Sequence, residues 1–237
     1  MTSKKIILCG YNWVGCKALE YLLKKKNKIF VYTHKSNFFE SDLVSYCKKK
    51  KINFTTEKIC KSNMPFKPDL IISIFYKFKI PIEVLNLSKF KPFNLHPSLL
   101  PKYRGCSSLT WAMVNNEKNT GFSFHYMDQN FDTGNIILQK KINIKPYDLQ
   151  STLYYRVMFE SIKYFEEALK LVLKKFIGTK QKGIGLYYKR GAPHDGIIKK
   201  NWSNKKKENF IKAMIFPPRK LAKYKNTFIK KLSDLKI

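Results

Sequence analysis

Two short stretches of the chain carry side chains able to do chemistry together. The first is Phe93-Asn94-Leu95-His96-Pro97-Ser98-Leu99-Leu100-Pro101-Lys102-Tyr103-Arg104-Gly105. Asn94 and His96 stand two apart in a short extended run, so their side chains leave the same face. The second stretch, Met127-Asp128-Gln129-Asn130-Phe131-Asp132-Thr133-Gly134, reads as a carboxylate-bearing loop between two strands. An amide, an imidazole and a carboxylate brought to one crevice suit acyl transfer. The amide donates to a developing oxyanion, the imidazole handles charge or protons, and the carboxylate orients or accepts. A serine or cysteine nucleophile is not indicated, because neither G-x-S-x-G nor a marked Cys/His pairing occurs.

The elements that must position these groups alternate along the chain. Residues 4–9 read as a buried strand, followed by the turn Gly10-Tyr11-Asn12-Trp13 and a helix through Leu23. A strand at 29–33 and a helix at 39–50 follow. Asp69 to Phe75 is a continuous apolar run, of the kind buried on both faces of a parallel sheet. Phe93 to His96 is a short strand that Pro97 ends. Ser107 or Ser108 is positioned to cap a helix through Val114, and 121–126 and 136–144 read as strands, with His125 inside the first as an ordinary strand histidine or a site neighbour. Asp148 is expected to cap one long helix whose apolar residues recur from Leu149 to Val172. The aromatic residues at 154–165 read as its core face. This alternation predicts an open α/β sheet with right-handed crossovers, which binds ligands outside the carboxyl ends of its strands. On that ground Asn12 and Trp13, just after the first strand, and Tyr76 and Lys77, just after Phe75, are candidate substrate contacts. Gly10 to Gly15 lacks GxGxxG spacing, so a dinucleotide cofactor is not expected.

Composition narrows the class further. The 237 residues include 47 Lys plus Arg against 16 Asp plus Glu, a formal charge of +31, and 44% are hydrophobic. That is too apolar for disorder and long enough for a proper core. No apolar run approaches the roughly 20 residues of a membrane span, and no signal peptide is evident. The five cysteines form no CxxC pair, which points to reduced, buried thiols in a cytoplasmic protein without a metal site. Only four of the 47 basic residues are Arg, whereas proteins that grip phosphates and read bases lean on its planar fork. The charge therefore reads as a solvated lysine coat, and no nucleic-acid partner is expected.

Asn-Leu-His-Pro-Ser-Leu-Leu-Pro-x-Tyr-Arg-Gly followed by Asp-x-Gly resembles the folate-dependent formyltransferases. The likeness covers roughly residues 1–180 and is most specific at 93–134. It implies an open Rossmann-like formyltransferase sheet, a catalytic set of Asn94, His96 and Asp132, and 10-formyltetrahydrofolate as donor. The pterin is then expected against the loop Met127, Asp128, Gln129, Asn130 and Phe131. Residues 181–237 are too few for the second domain of the methionyl-tRNA enzymes. They resemble the small hairpin-and-helix appendage of the short sugar N-formyltransferases, notably at 187–196 and 212–218, although Lys212 and Arg219-Lys220-Leu221 depart from the usual pattern there. That resemblance implies a homodimer acting on a dTDP-linked amino-deoxy sugar, dTDP-4-amino-4,6-dideoxyglucose foremost, for O-antigen or other surface polysaccharide. The alternatives are a methionyl-tRNA formyltransferase with a reduced C-terminal domain and a non-catalytic, basic nucleic-acid-binding module.

Overall fold

The computed structural model describes residues 3–35 and 42–235. In chain order its elements are β1 (Lys5–Gly10), α1 (Asn12–Lys24), β2 (Lys28–Tyr32), α2 (Leu43–Lys50), β3 (Phe54–Thr55), β4 (Leu70–Ile74), α3 (Ile82–Leu85), β5 (Phe93–His96), β6 (Arg104–Gly105), α4 (Ser108–Val114), β7 (Asn119–Tyr126) and β8 (Ile136–Asn143). They continue with α5 (Gln150–Lys163), α6 (Phe165–Leu173), β9 (Tyr187–Tyr188), α7 (Asn204–Met214), β10 (Ala222–Tyr224) and β11 (Thr227–Ile229). Seven strands form one mixed sheet in the order β3-β2-β1-β4-β5-β7-β8, as expected of an α/β protein. The first five of these pair in parallel, and β5 pairs antiparallel with β7.

Strand β4 is buried at every position, as is β1 beyond Lys5, because both lie inside the sheet with apolar cover. Successive strands run outward from β1 in one direction through β2 and β3. The chain then restarts on the other side of β1 at β4. Such a reversal opens a crevice at the carboxyl ends of the two strands on either side of it, here β1 and β4.

Two compact units divide the chain. The first comprises Met1–His96, Ser123–Leu138 and Ser161–Gln181; the second comprises Pro97–Phe122, Gln139–Glu160 and Lys182–Ile237. The first unit holds the apolar layer around Ile7, Ile71, Val84 and Leu85, together with an aromatic contact of Phe93 and Phe124 with Phe165. The second is organised around rings. Tyr188 stacks on Tyr103 and packs against Trp111, while His194 touches Trp111, Trp202 and Phe210.

Local expectations met the structure unevenly. The second helix begins at Leu43 behind an Asp42 cap that accepts from Val44 N–H; positions 39–41 of the expected helix lie outside the described residues. Ser107 occupies the cap position of α4 but does not cap it. Its backbone is left-handed and its hydroxyl donates to the Gly191 carbonyl. Asp148 is likewise no helix cap. Its carboxylate accepts from Lys145 N–H and binds the Arg156 guanidinium, a stronger, charge-assisted partner. The long helix divides at Tyr164 into α5 and α6. Within it Tyr154 and Tyr155 pack on Phe216, but Phe159 is exposed and not core. The lysine-rich tail contains the β10–β11 hairpin.

Candidate active site

The register of β5 against β7 assembles most of the site. Asn94 lies opposite His125 and His96 opposite Ser123. Residues directly opposite in an antiparallel pair share a face, as do residues two apart in one strand. Asn94, His96, Ser123 and His125 therefore project from the same side of the sheet. His96 and His125 are both buried, with ring centroids 6.4 Å apart.

Asp132 closes the group. Its Oδ2 lies 3.5 Å from His96 Nδ1, and its Oδ1 lies 3.3 Å from His125 Nε2. Asn94 Nδ2 is 3.1 Å from the same Nε2, and His125 Nδ1 is 2.8 Å from the Tyr126 carbonyl. The structure thus brings together the three residues expected to react and adds His125. From the sequence an ordinary strand histidine is at least as good a reading of His125 as a site neighbour; the register places it opposite Asn94.

The loop that carries Asp132 is held from several sides. Asp132 itself sits at φ 57, a left-handed conformation that Asp tolerates better than most residues and that recurs at functional sites. Asp128 Oδ1 accepts from Asn130 N–H and from the Thr133 hydroxyl, which tightens the turn before it. Gly134 explains the Asp-x-Gly spacing, since a Cβ there would meet the Tyr126 carbonyl oxygen at 2.0 Å. The segment after α6 then buckles the loop. Gln181 Nε2 donates to the carbonyls of Asp132 and Gly134 at 2.9 and 2.8 Å. Thr179 and Ile136 exchange backbone hydrogen bonds, Asn135 donates to Ile177, and the Tyr126 hydroxyl donates to Phe176. Nothing in the sequence singled out Gln181. It lies 49 residues from Asp132, and a lone glutamine in an irregular segment carries no periodic signal.

The candidate folate loop presents a graded surface. Met127 is tied by its N–H to the Pro92 carbonyl, and Asp128 turns inward as described. Gln129, Asn130 and Phe131 are exposed, and the Phe131 ring carries Lys79 Nζ 5.5 Å from its centroid.

The four candidate substrate residues reach the same sheet edge by register, Gly10 pairing with Ile74 and Ile74 with Leu95. Their side chains differ in use. Asn12 is buried, and its Oδ1 accepts from Val14 N–H at the start of α1. Trp13 is half-buried. The Tyr76 hydroxyl accepts from Ile59 N–H, and burial pushes that phenol up to about 12. Lys77 is exposed with its ammonium over Phe78. Nearby, His34, which offered no partner in the sequence, stacks on Tyr11 with centroids 4.1 Å apart. Among the described residues no group of three or more His, Cys, Asp or Glu is arranged to hold a metal ion, and no helix is long and apolar enough to cross a membrane.

An amide and an imidazole at a strand end, facing a carboxylate on a left-handed turn, define a group-transfer enzyme on an open α/β sheet. The family profile described as formyl transferase matches residues 6–169. The chain is 40% identical over 197 residues to the GDP-perosamine N-formyltransferase of Brucella melitensis, a match spanning 81% of this chain and 76% of that one. It is 32% identical over 227 residues to the bifunctional polymyxin resistance protein ArnA of Wigglesworthia glossinidia brevipalpis, covering 90% of this chain and 35% of ArnA. Its fold superposes with TM-score 0.79 and 26% identity on an N-formyltransferase from Helicobacter canadensis solved with folinic acid and dTDP-3-aminofucose, over 97% of this chain and 87% of that one. The chain belongs to the formyl transferase family, with the short sugar N-formyltransferases.

Proposed function

We propose that this enzyme moves the formyl group of 10-formyltetrahydrofolate onto the amine of a nucleotide-linked amino-deoxy sugar. The observation that carries the reading is the cluster of Asn94, His96 and Asp132 within one unit, in a chain 40% identical to a GDP-perosamine N-formyltransferase. GDP-perosamine is accordingly the first acceptor to test. The dTDP-linked sugars follow, with dTDP-4-amino-4,6-dideoxyglucose at their head and the Helicobacter complex as their support. Residues 1–180 would form the catalytic part and 181–237 an appendage at a homodimer interface. A soluble cytoplasmic enzyme feeding surface-polysaccharide synthesis fits such a substrate.

The chemistry follows from the side chains. The neutral sugar amine attacks the formyl carbon and the new C–N bond forms. After a tetrahedral stage the donor's C–N bond breaks, its nitrogen leaving as the amine of tetrahydrofolate with the proton passed on from Asp132, directly or through water. Asn94 N–H and a protonated His96 donate to the oxygen that gains charge there. Such donors act in a site whose groups are already fixed, so little reorganisation is needed when the charge appears. Asp132 keeps His96 oriented through Nδ1 and takes the proton that the attacking nitrogen sheds, directly or through water. The loop 127–131 would hold the donor's ring system, with exposed Phe131 as its platform. Lys77 and Lys79 supply positive charge beyond the end of β4 for anionic groups.

The test is a product-mass screen at fixed 10-formyltetrahydrofolate with GDP-perosamine, dTDP-4-amino, dTDP-3-amino and UDP-4-amino sugars, and methionyl-tRNA as separate acceptors. Formylation of one sugar nucleotide is expected. Formylation of methionyl-tRNA alone would overturn the acceptor, and silence on every acceptor would overturn the reading.

A further inference from the structure

We propose that Ser73 is a further catalytic residue: its hydroxyl donates a hydrogen bond to the formyl oxygen beside Asn94 as that oxygen gains charge. The proposal rests on the formyl-transfer reading above and adds one donor to the set which that reading names.

Strand register places the residue. Ser73 pairs with Cys9 of β1 on one side and with Asn94 of β5 on the other, and Asn94 pairs in turn with His125 of β7. Directly paired residues leave the same face of a pleated sheet, on strands about 4.8 Å apart. Cys9, Ser73, Asn94 and His125 thus form one row across the sheet. Ser73 stands between the buried cluster that holds Cys9 and the reacting groups. The β7 side of Asn94 is occupied: its Nδ2 lies 3.1 Å from His125 Nε2, and Asp132 Oδ1 lies 3.3 Å from that same nitrogen. The β4 side is bordered by Ser73. A group that approaches Asn94 from there passes over the serine, whichever way the amide is turned.

Burial points the same way. Ser73 is the one polar residue of β4, and it is 7% exposed where the other four residues of the strand are 0% exposed. In β5 Asn94 is partly buried and its three strand neighbours are buried. Surface access therefore reaches the sheet at these two paired positions. The Ser73 hydroxyl makes no hydrogen bond among the described residues, nor is it one of the polar atoms sealed from solvent without a partner. A hydroxyl kept without a partner in an apolar strand costs stability, and such departures from a local rule mark functional sites. Ile71, two residues back on the same face, is what burial alone selects. Serine instead leaves room over β4 and supplies one O–H, which a carbonyl oxygen accepts. The hydroxyl forms no covalent bond and gives up no proton, so the proton balance of the transfer is unchanged.

Three variants test this. Ser73→Ala removes the hydroxyl and keeps the space. It should lower kcat about tenfold or more, the loss of one hydrogen bond to an oxygen gaining charge, with both KM values within about twofold of the parent. Its melting temperature should not fall, because no protein partner loses a bond. Binding of 5-formyltetrahydrofolate, followed by titration calorimetry, should match the parent's. Ser73→Thr and Ser73→Val have nearly one shape and differ in the hydroxyl, so the threonine variant should be clearly the faster of the two. A Ser73→Ala kcat within about threefold of the parent overturns the proposal, as does a raised KM in place of a lowered kcat. Equal rates in the threonine and valine variants also overturn it, since size and not the hydroxyl would then matter. A parent that formylates no acceptor defeats the functional reading and this proposal with it. A parent that turns over beside an equally active Ser73→Ala defeats the proposal alone.

Discussion

The turn that carries Asp132 and the aromatic centre of the second unit are held in different ways. At the turn, almost every contact is a directed hydrogen bond: Gln181 to two carbonyls, Asp128 to Asn130 and Thr133, His125 to Tyr126 and Asn94. In the aromatic centre, Tyr103, Trp111, Tyr188, His194, Trp202 and Phe210 meet face to edge or in offset stacks. Directed bonds fix an atom to a fraction of an ångström and fail abruptly when one partner goes. Ring packing contributes through buried area and tolerates small shifts. The first arrangement suits a reacting carboxylate, and the second suits a structural centre.

Phe210 is a fully buried ring of the aromatic centre. Phe210→Ala should cost about 3–5 kcal/mol of stability by removing its packing and leaving a cavity. Thermal unfolding would read this, while kcat of the folded fraction stays near the parent value. At the site the balance reverses. Asn94→Ala and His96→Ala should each remove about 3 kcal/mol of transition-state stabilisation, on the order of 100-fold in kcat, with the melting temperature nearly unchanged. A variant with near-normal turnover would sink the catalytic assignment.

Smaller effects sharpen the contrast. Gln181→Ala loosens the turn without touching a reacting group, so kcat should fall about tenfold, equivalent to about 1.4 kcal/mol. Steady-state kinetics beside a melting curve would separate that loss from unfolding. His194 adds a pH signature to the aromatic centre. Burial, with Lys206 and Lys199 nearby, lowers its pKa below the ordinary 6.5. The unfolded chain therefore binds this proton more readily than the folded one, and stability must fall as pH drops below about 6.5. Melting temperatures from pH 8 to 5 should show the decline, and His194→Gln should flatten it.

Reading the sequence reached the site unevenly, and the pattern has physical causes. The apolar runs of β1 and β4 and the strand-end pair Asn94 and His96 were legible because period-two geometry and continuous burial leave a local signature. Asp148 looked like a helix cap because Asp before an apolar periodic run usually is one; Arg156, eight residues on, competes for the same carboxylate. Ser107 looked like a cap for the same reason and is taken by Gly191, 84 residues away. The break at Tyr164 and the exposure of Phe159 leave no local mark, because apolar periodicity continues across both.

The amino-acid sequence by itself determined the α/β alternation, the reactive residue types and the spacing of the Asp-x-Gly turn, since these depend on neighbours a few residues apart. Only the tertiary structure decided that His125 faces Asn94, that Gln181 clamps the Asp132 turn, and that a left-handed backbone aims the carboxylate. Each of these depends on strand register or on a bond across tens of residues. A hydrogen bond needs its partners within about 3 Å, and no local pattern of side chains encodes that distance.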